Sequence, residues 1–218
     1  IANEHNELKT KFIRNISSQM EPTLNTLGTS AKELSAQAPR YAEQMQAQVA
    51  ALKQFSDNIQ ELSSLENSLT EPYEMGEVNA GTFCESVMEK AKEFMKPDVT
   101  PSVNAPKLQV KTNKEQLERI LLYLLKNAAF YTEQGRISLD FKKRGAHTHQ
   151  FIITDTGTGI PAEQQENLFK PFTQVKDLTT GDGLGLPICS LIATKMNGSL
   201  TLDTSYTKGC RFILELHA

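Results

Sequence analysis

Apolar residues recur every three or four positions through the first part of the chain, which is the spacing of one face of an α-helix. From about residue 6 to residue 69 the only glycine is Gly28, and Ala38-Pro39 is the expected break. The first apolar stripe contains Leu8, Phe12, Ile16, Met20, Leu24 and Leu27, and the second contains Met45, Val49, Leu52, Phe55, Ile59, Leu62 and Leu69. The pattern predicts two long helices joined by a short loop.

A hairpin of this kind carries a long apolar stripe on each helix and cannot bury both stripes by itself. Pairing with a second copy would bury them in a four-helix bundle, so we expect a homodimer. The alternative is that both helices pack on the C-terminal part of the same chain.

The pattern changes after Glu71-Pro72, where glycine, proline and β-rich runs become frequent. We therefore predict a helical domain at 1–71 and a second domain at 72–218. Helical periodicity covers about 80–95 and 114–131, and strand-like runs cover 136–142, 149–154, 199–203 and 210–216. The predicted fold class is α+β, a helical hairpin followed by a two-layer α/β sandwich with helices on one face of a sheet.

Composition narrows the classes of partner and environment. The 218 residues carry a net charge of -3 and no long Lys/Arg run, which argues against nucleic acid as a partner. The three cysteines lack CxxC spacing, which favours reduced thiols over disulfides or zinc. No apolar run reaches the ~18 residues that a membrane helix needs, and a chain beginning Ile-Ala is expected to be a piece of a longer protein. The histidines, His5, His147, His149 and His217, are expected at the surface.

The strongest chemical signal is an acid followed by two glycine turns. Asp155 ends an apolar strand run and precedes Gly157 and Gly159, while a second glycine cluster at 181–185 opens an amphipathic helix. A carboxylate accepts a hydrogen bond from an exocyclic amine, which favours adenine over guanine. Glycine N–H groups at a helix N-terminus bind phosphate. The sequence therefore predicts an adenine nucleotide site.

Four ordered motifs extend this signal: LLYLLKNAAFYT from Leu121 to Thr132, DTGTGIP from Asp155, LFKPF from Leu168 and GDGLGLPI from Gly181. In this order they resemble the asparagine, first glycine, phenylalanine and second glycine boxes of the catalytic ATP-binding domain of two-component sensor histidine kinases. The N-terminal hairpin resembles the dimerisation and histidine-phosphotransfer domain of the same family. The resemblance extends over essentially the whole chain and implies the histidine kinase ATPase type of sandwich.

The resemblance also implies cofactors, partners and site residues. The cofactors would be ATP and Mg²⁺, with Asn127 as the magnesium ligand. The nucleotide would contact Asn127, Tyr131, Asp155, Gly157, Gly159, Ile160, Gly183, Leu184, Gly185 and Leu186, under a lid formed by residues 170–182. A response regulator receiver domain would be the partner in a phosphorelay. The resemblance further implies a cytoplasmic core whose parent protein is anchored in the bacterial inner membrane through upstream segments.

The phosphoacceptor region departs from the family pattern. The segment FIRNISSQMEPTL occupies the place of a box that normally reads close to FxxNxSHExRTPL. Ser18 stands in the histidine slot, and Gln19 stands in the slot of the acid that moves the imidazole proton. An amide cannot serve as that base. We therefore predict a pseudokinase whose autophosphorylation is impaired or absent, with no transferable phosphoryl group at Ser18.

The asparagine box departs from the pattern as well. A helical wheel predicts a buried face made of Leu117, Ile120, Leu121, Leu124, Leu125 and Ala128. Tyr123, Asn127 and Phe130 form a neighbouring stripe, where the family usually presents two amides and a lysine. Tyr123 and Phe130 supply no phosphate-binding charge, and both a packing role and a stacking role against a ligand remain open for them.

Three functions compete at this point. The first is a degenerate, ATP-binding kinase core of a sensor protein. The second is an ATPase of the chaperone or mismatch-repair type, in which a glutamate at the place of Tyr123 would activate water. The third is a non-catalytic scaffold that dimerises and recruits a response regulator or an active kinase without binding ATP.

Overall fold

The computed structural model describes residues 13, 20–33, 39–145, 147–171 and 183–217. The chain divides into two compact units, Ile1–Ser68 and Leu69–Ala218. The phosphoacceptor slot, Ser18 and Gln19, lies outside the described residues, as does most of the predicted lid.

The first unit is helical, as its apolar periodicity predicted. Residues 20–33 form α1, and Pro39–Asn67 form α2. Proline suits the first position of a helix because no intrahelical partner is lost there, so α2 begins at the predicted break. A Cβ added at Gly28 would lie 3.6 Å from Cγ1 of Val49, in ordinary contact, so α1 faces α2 at this point. Leu27 and Leu52 keep 41% and 43% of their surface exposed, so parts of both stripes stay uncovered.

The second unit is built on a five-stranded mixed sheet and a two-stranded ribbon. The ribbon pairs β1 (Gly76–Asn79) with β3 (Gln109–Thr112) in antiparallel fashion. The strands of the sheet are β2 (Val99–Asn104), β4 (Gly135–Arg144), β5 (Thr148–Asp155), β6 (Gly198–Leu202) and β7 (Arg211–His217). Their order across the sheet is β2-β4-β5-β7-β6. Only β2 and β4 pair in parallel, and the other neighbours are antiparallel.

The described residues of this unit include four helices: α3 (Ala80–Lys92), α4 (Lys114–Tyr131), α5 (Ala162–Gln165) and α6 (Gly185–Lys195). Asparagines cap the two long ones. The side chain of Asn79 accepts a hydrogen bond from Thr82 N (3.1 Å), and that of Asn113 accepts one from Gln116 N (2.9 Å). Each cap satisfies an N–H group that the first turn leaves without a partner. The caps therefore fix where α3 and α4 begin.

One face of the sheet carries the core. Leu139, Ile153 and Phe212 are aligned across β4, β5 and β7, and all three are buried. Helices α3, α4 and α6 all contact this sheet. The six α4 residues predicted to face inward are all buried, joined by Ala129. The predicted α+β class and the two-layer sandwich are confirmed, and none of the described helices has the length and apolar character needed to cross a membrane.

The prediction for His149 was wrong. It keeps 7% of its surface exposed, because its register opposite Leu216 turns it to the core face of the sheet. Its ring stacks on Phe141, with centroids 5.8 Å apart. Burial lowers the pKa of His149, and Lys143 and His147 lower that pKa further. His147 and His217 are exposed, as expected, and His5 lies outside the described residues.

Candidate functional site

The carboxylate of Asp155 is held at the end of β5 with 4% of the residue exposed. Its Oδ1 accepts hydrogen bonds from the backbone N–H groups of Gly157 (2.8 Å) and Cys210 (3.1 Å). Oδ2 accepts no hydrogen bond from any residue that the structure describes. One oxygen therefore fixes the side chain, and the other is available to a donor on a ligand.

Burial raises the pKa of Asp155, and the two N–H groups on Oδ1 act against that rise. Cys210 lies beside this carboxylate, and burial together with the charge of Asp155 raises the pKa of its thiol to about 12. The Cys210 thiol therefore stays protonated at neutral pH. Its contribution to the site is the backbone N–H group that holds Asp155.

The segment before β7 supports the same acid from the other side. Tyr206 donates its hydroxyl to Asp155 O (3.1 Å), and the guanidinium of Arg211 lies 4.2 Å above the Tyr206 ring. Arg211 also forms an ion pair with Asp203 (3.2 Å). Gly209 has a φ of +147°, and a Cβ there would overlap Asp155 O and lie 2.8 Å from Oδ1. Only glycine allows this close approach.

Sequence reasoning missed Tyr206, Gly209 and Cys210. The dipeptide Lys208-Gly209 before a strand is an ordinary turn signal. Nothing local ties that turn to Asp155, because the two are brought together by the pairing of β5 with β7. The signal that could have found these residues is a glycine shortly before a strand that pairs with the strand ending in Asp155.

The first glycine turn is fixed on the C-terminal end of α4. A Cβ added at Gly157 would overlap Tyr131 O and lie 2.9 Å from Oγ1 of Thr132. The N–H group of Thr158 donates to the same Tyr131 carbonyl (3.2 Å). Gly159 then reverses the chain with a φ of +73°, and the half-buried Ile160 follows, its carbonyl accepting from Gln165 Nε2 (2.8 Å). This turn and the end of α4 therefore form one wall of the site.

The second glycine turn lies at the start of α6. Gly183 has a φ of +70°, and Leu184, fully buried, anchors the turn in the core. Ile188 N donates to Leu184 O (2.9 Å), and Pro187 has no N–H group. The N–H groups of Gly185 and Leu186 are thus the first-turn donors without a helical partner, at the end of the helix where the dipole favours an anion.

Asn127 lies on α4 midway between these two turns. Tyr131 is one turn after it and contacts the first glycine turn, while Tyr123 is one turn before it and contacts Gly185. The whole span from Tyr123 to Tyr131 is eight residues, or about 12 Å along the helix axis. The half-buried Asn127 side chain makes no hydrogen bond to a described residue. The carboxylate of Asp155, the amide of Asn127 and the N-terminus of α6 therefore lie in a row along α4.

The two aromatic replacements in the asparagine box have different environments. The ring of Tyr123 is packed against Gly185. Phe130 keeps 51% of its surface exposed and meets Tyr131 edge to face, with centroids 4.9 Å apart. Lys126 turns away from this stripe, as expected, and its Nζ lies 4.4 Å from the centre of the Phe94 ring. Tyr123 thus lies between α4 and the first residue of α6, whereas Phe130 is a surface aromatic at the edge of the site.

A divalent cation would have few protein ligands here. Among the described residues no three His, Cys, Asp or Glu side chains are grouped to hold a metal ion. Magnesium commonly takes one or two protein oxygens together with phosphate oxygens and water. The Asn127 side chain makes no hydrogen bond to a described residue, so its oxygen could serve as such a protein ligand. The ion would then bind together with the nucleotide.

Comparison with known proteins agrees with this geometry. Residues 112–218 match the family described as histidine kinase-, DNA gyrase B-, and HSP90-like ATPase. The aerobic respiration control sensor protein ArcB of Escherichia coli K12 is 26% identical over 96% of this chain and 29% of its own length. The sensor histidine kinase RppB of Synechocystis is 35% identical over 55% of this chain and 27% of its own length. The chain thus spans less than a third of these relatives.

Solved structures show the same fold. Full-length ShkA in complex with AMPPNP superposes with a TM-score of 0.78 at 20% identity, covering 95% of this chain and 46% of that protein. The Acinetobacter baumannii histidine kinase AdeS superposes with a TM-score of 0.67 at 19% identity, covering 91% and 96%. Residues 112–218 therefore belong to the family of histidine kinase-, DNA gyrase B- and HSP90-like ATPases, and the chain is homologous to sensor histidine kinases over nearly its full length.

Proposed function

We propose that this chain is the nucleotide-binding core of a two-component sensor protein and that Asp155 recognises the adenine base. The observation that carries the proposal is that the two oxygens of the Asp155 carboxylate have different hydrogen-bond partners. Oδ1 is held by two backbone N–H groups, and Oδ2 accepts nothing from the described residues. Oδ2 can accept a hydrogen bond from the exocyclic amine of adenine. Guanine would place a carbonyl at the same point, and a carbonyl has no hydrogen to donate.

The phosphates would run along α4 from Asp155 toward α6. Asn127 would contribute its side-chain oxygen to a Mg²⁺ ion that bridges phosphate oxygens. The N–H groups of Gly185 and Leu186 would then face the far end of the phosphate chain. Asp155, Asn127 and the first turn of α6 would thus each contact one part of the nucleotide.

Phosphoryl transfer to Ser18 is not part of the proposed function. A serine hydroxyl needs a base to remove its proton during attack, and the neighbouring Gln19 is an amide that cannot take that proton. A phosphoserine ester is also a poorer donor to a receiver aspartate than phosphohistidine. The test is incubation of the chain with Mg²⁺ and labelled ATP. Acid-stable, alkali-labile label on Ser18 would contradict this part of the proposal.

The hairpin would form the dimer, and a response regulator receiver domain would be its partner. The support is the incomplete burial of Leu27 and Leu52 within a single chain, since a four-helix bundle would cover such stripes. Sedimentation or light scattering of the chain tests this directly. A monomer at micromolar concentration would remove the dimer from the proposal and leave the nucleotide site untouched.

The decisive experiment is calorimetric titration with ADP and with a non-hydrolysable ATP analogue in Mg²⁺. Asp155→Asn keeps an oxygen for Gly157 N and Cys210 N but replaces Oδ2 with a donor. We expect it to lower adenine nucleotide affinity by about tenfold to a hundredfold, the value of a hydrogen bond to a charged group. Asp140→Asn is the matched control, because Asp140 accepts from Ser138 on the opposite face of the sheet.

Two results would refute the assignment. One is binding that Asp155→Asn leaves unchanged, which would place the base elsewhere. The other is no binding of either nucleotide by the wild-type chain, which would favour the scaffold function in which the chain recruits a partner without ATP.

A further inference from the structure

Tyr123 occupies a position that recognition of the base does not explain. Its ring lies against the first residue of α6, where a Cβ added at Gly185 would overlap its Cζ, Oη and Cε2 atoms. A ring fits there only because Gly185 has no side chain. Tyr123 and Gly185 are therefore a matched pair that joins α4 to α6.

Gly185 is also one of the two first-turn donors of α6 without a helical partner. An anion reaches these N–H groups from beyond the N-terminal end of the helix, where the dipole favours negative charge. The ring of Tyr123 occupies the α4 side of that approach. The tyrosine thus narrows the phosphate end of the site while leaving the adenine end unchanged.

The order of residues along α4 shows which phosphate meets the ring. Tyr131, at the base end, lies one turn of about 6 Å from Asn127, and Tyr123 lies a further turn of about 6 Å beyond Asn127. A nucleotide whose base contacts Asp155 passes Asn127 before it reaches Tyr123. The terminal group of the longest phosphate chain is therefore the one that contacts the ring.

We propose that Tyr123 is a specificity-determining residue that selects the length of the phosphate chain, so that the site binds adenosine diphosphate in preference to the triphosphate. The ring takes up volume beside the first turn of α6 and supplies no cation, so a further phosphate brought against it would lose water without gaining a charged partner. The inference rests on the proposed function, since it requires the base to be at Asp155. It goes further by naming the nucleotide that the site retains.

The test compares AMP, ADP and a non-hydrolysable ATP analogue in Mg²⁺ by calorimetry. We expect the wild-type chain to bind ADP about tenfold more tightly than the analogue, the scale of one charged contact. Tyr123→Phe keeps the ring and should keep this preference. Tyr123→Ala removes the ring and should raise the affinity for the analogue relative to ADP by about tenfold, with AMP changing by less than about threefold.

Several outcomes would overturn the inference. A role in packing alone would make Tyr123→Ala weaken all three ligands together and leave the ADP-to-analogue ratio unchanged. A wild-type chain that prefers the analogue over ADP contradicts the inference even if the alanine variant does not fold. Binding of AMP and ADP with no preference between ADP and the analogue refutes only the role of Tyr123. Failure of all three to bind refutes the proposed function as well.

Discussion

Replacing Gly209 with alanine tests whether the proposed adenine site depends on the close approach of two backbone segments. Gly209 has a φ of +147°, which residues with a side chain rarely adopt. The new Cβ would overlap Asp155 O and lie 2.8 Å from Asp155 Oδ1. The substitution therefore strains the backbone and also displaces the acid.

The two effects set the size of the expected loss. A residue held in a sparsely populated backbone region costs about 1–3 kcal/mol. Overpacking against neighbours that cannot move freely adds about 1–3 kcal/mol. Gly209→Ala should therefore lower the free energy of unfolding by at least about 2 kcal/mol, or about 4–8 °C in Tm for a domain of about 150 residues or more.

Two other glycines separate these contributions. Gly145 has a φ of +73° and no atom within 4 Å of the position that a Cβ would take, so Gly145→Ala should show strain alone, about 1–2 kcal/mol. Gly76 has neither a positive φ nor a neighbour within 4 Å. Gly76→Ala should be neutral or stabilising by up to about 1 kcal/mol.

The assay is urea unfolding of all three variants, followed by ADP titration of each. Gly209→Ala should be the least stable and should alone lose nucleotide affinity, since only it displaces Asp155. A Gly209→Ala variant that matches Gly145→Ala in stability and binds ADP normally would refute the reasoning about the site.

Three further predictions follow from individual side chains. Because burial raises the pKa of Asp155, its ionisation destabilises the fold above that pKa; Asp155→Asn should be at least as stable as wild type at pH 7 by urea unfolding, and a clear loss of stability would contradict this. The lowered pKa of His149 means that the unfolded state binds more protons just below pH 6.5, so stability should fall as pH drops from 6.5 through the folded pKa. His149→Phe, which keeps an aromatic ring against Phe141, should remove that part of the pH dependence, and parallel stability curves for the two proteins would refute it. Asn127→Ala should remove the Mg²⁺ dependence of ADP affinity while leaving AMP binding within about threefold, and equal Mg²⁺ dependence in variant and wild type would exclude Asn127 as a ligand.

The sequence was most informative where a signal is local. The buried face of α4 follows from a helical periodicity of about 3.6 residues, and the position of Asp155 follows from a strand run and the glycines directly after it. The edge strand β2 was missed because Pro101 interrupts its apolar pattern, which an edge position tolerates. Burial of His149 was missed because the register with Leu216 is decided by distant residues.

The same limit applies to the site. Tyr123 could be placed on the correct face of α4, but its fit against Gly185 depends on how two helices pack. Nothing in the sequence around Gly209 indicates that it contacts Asp155. The two residues are far apart in the chain and come together only when β5 pairs with β7. Residues that act through one element were predictable, and residues that act between elements were not.

The hydrogen bond from Cys210 N to Asp155 Oδ1 joins residues 55 positions apart in the chain. Closing a loop of that length has an entropic cost that must be met before the contact stabilises anything. The acid therefore takes its final orientation only after β7 has joined the sheet, among the later events of folding. A chain that stops short of residue 210 during synthesis would therefore lack one of the two N–H groups that hold Asp155, and nucleotide binding at the proposed site would require β7 to be in place.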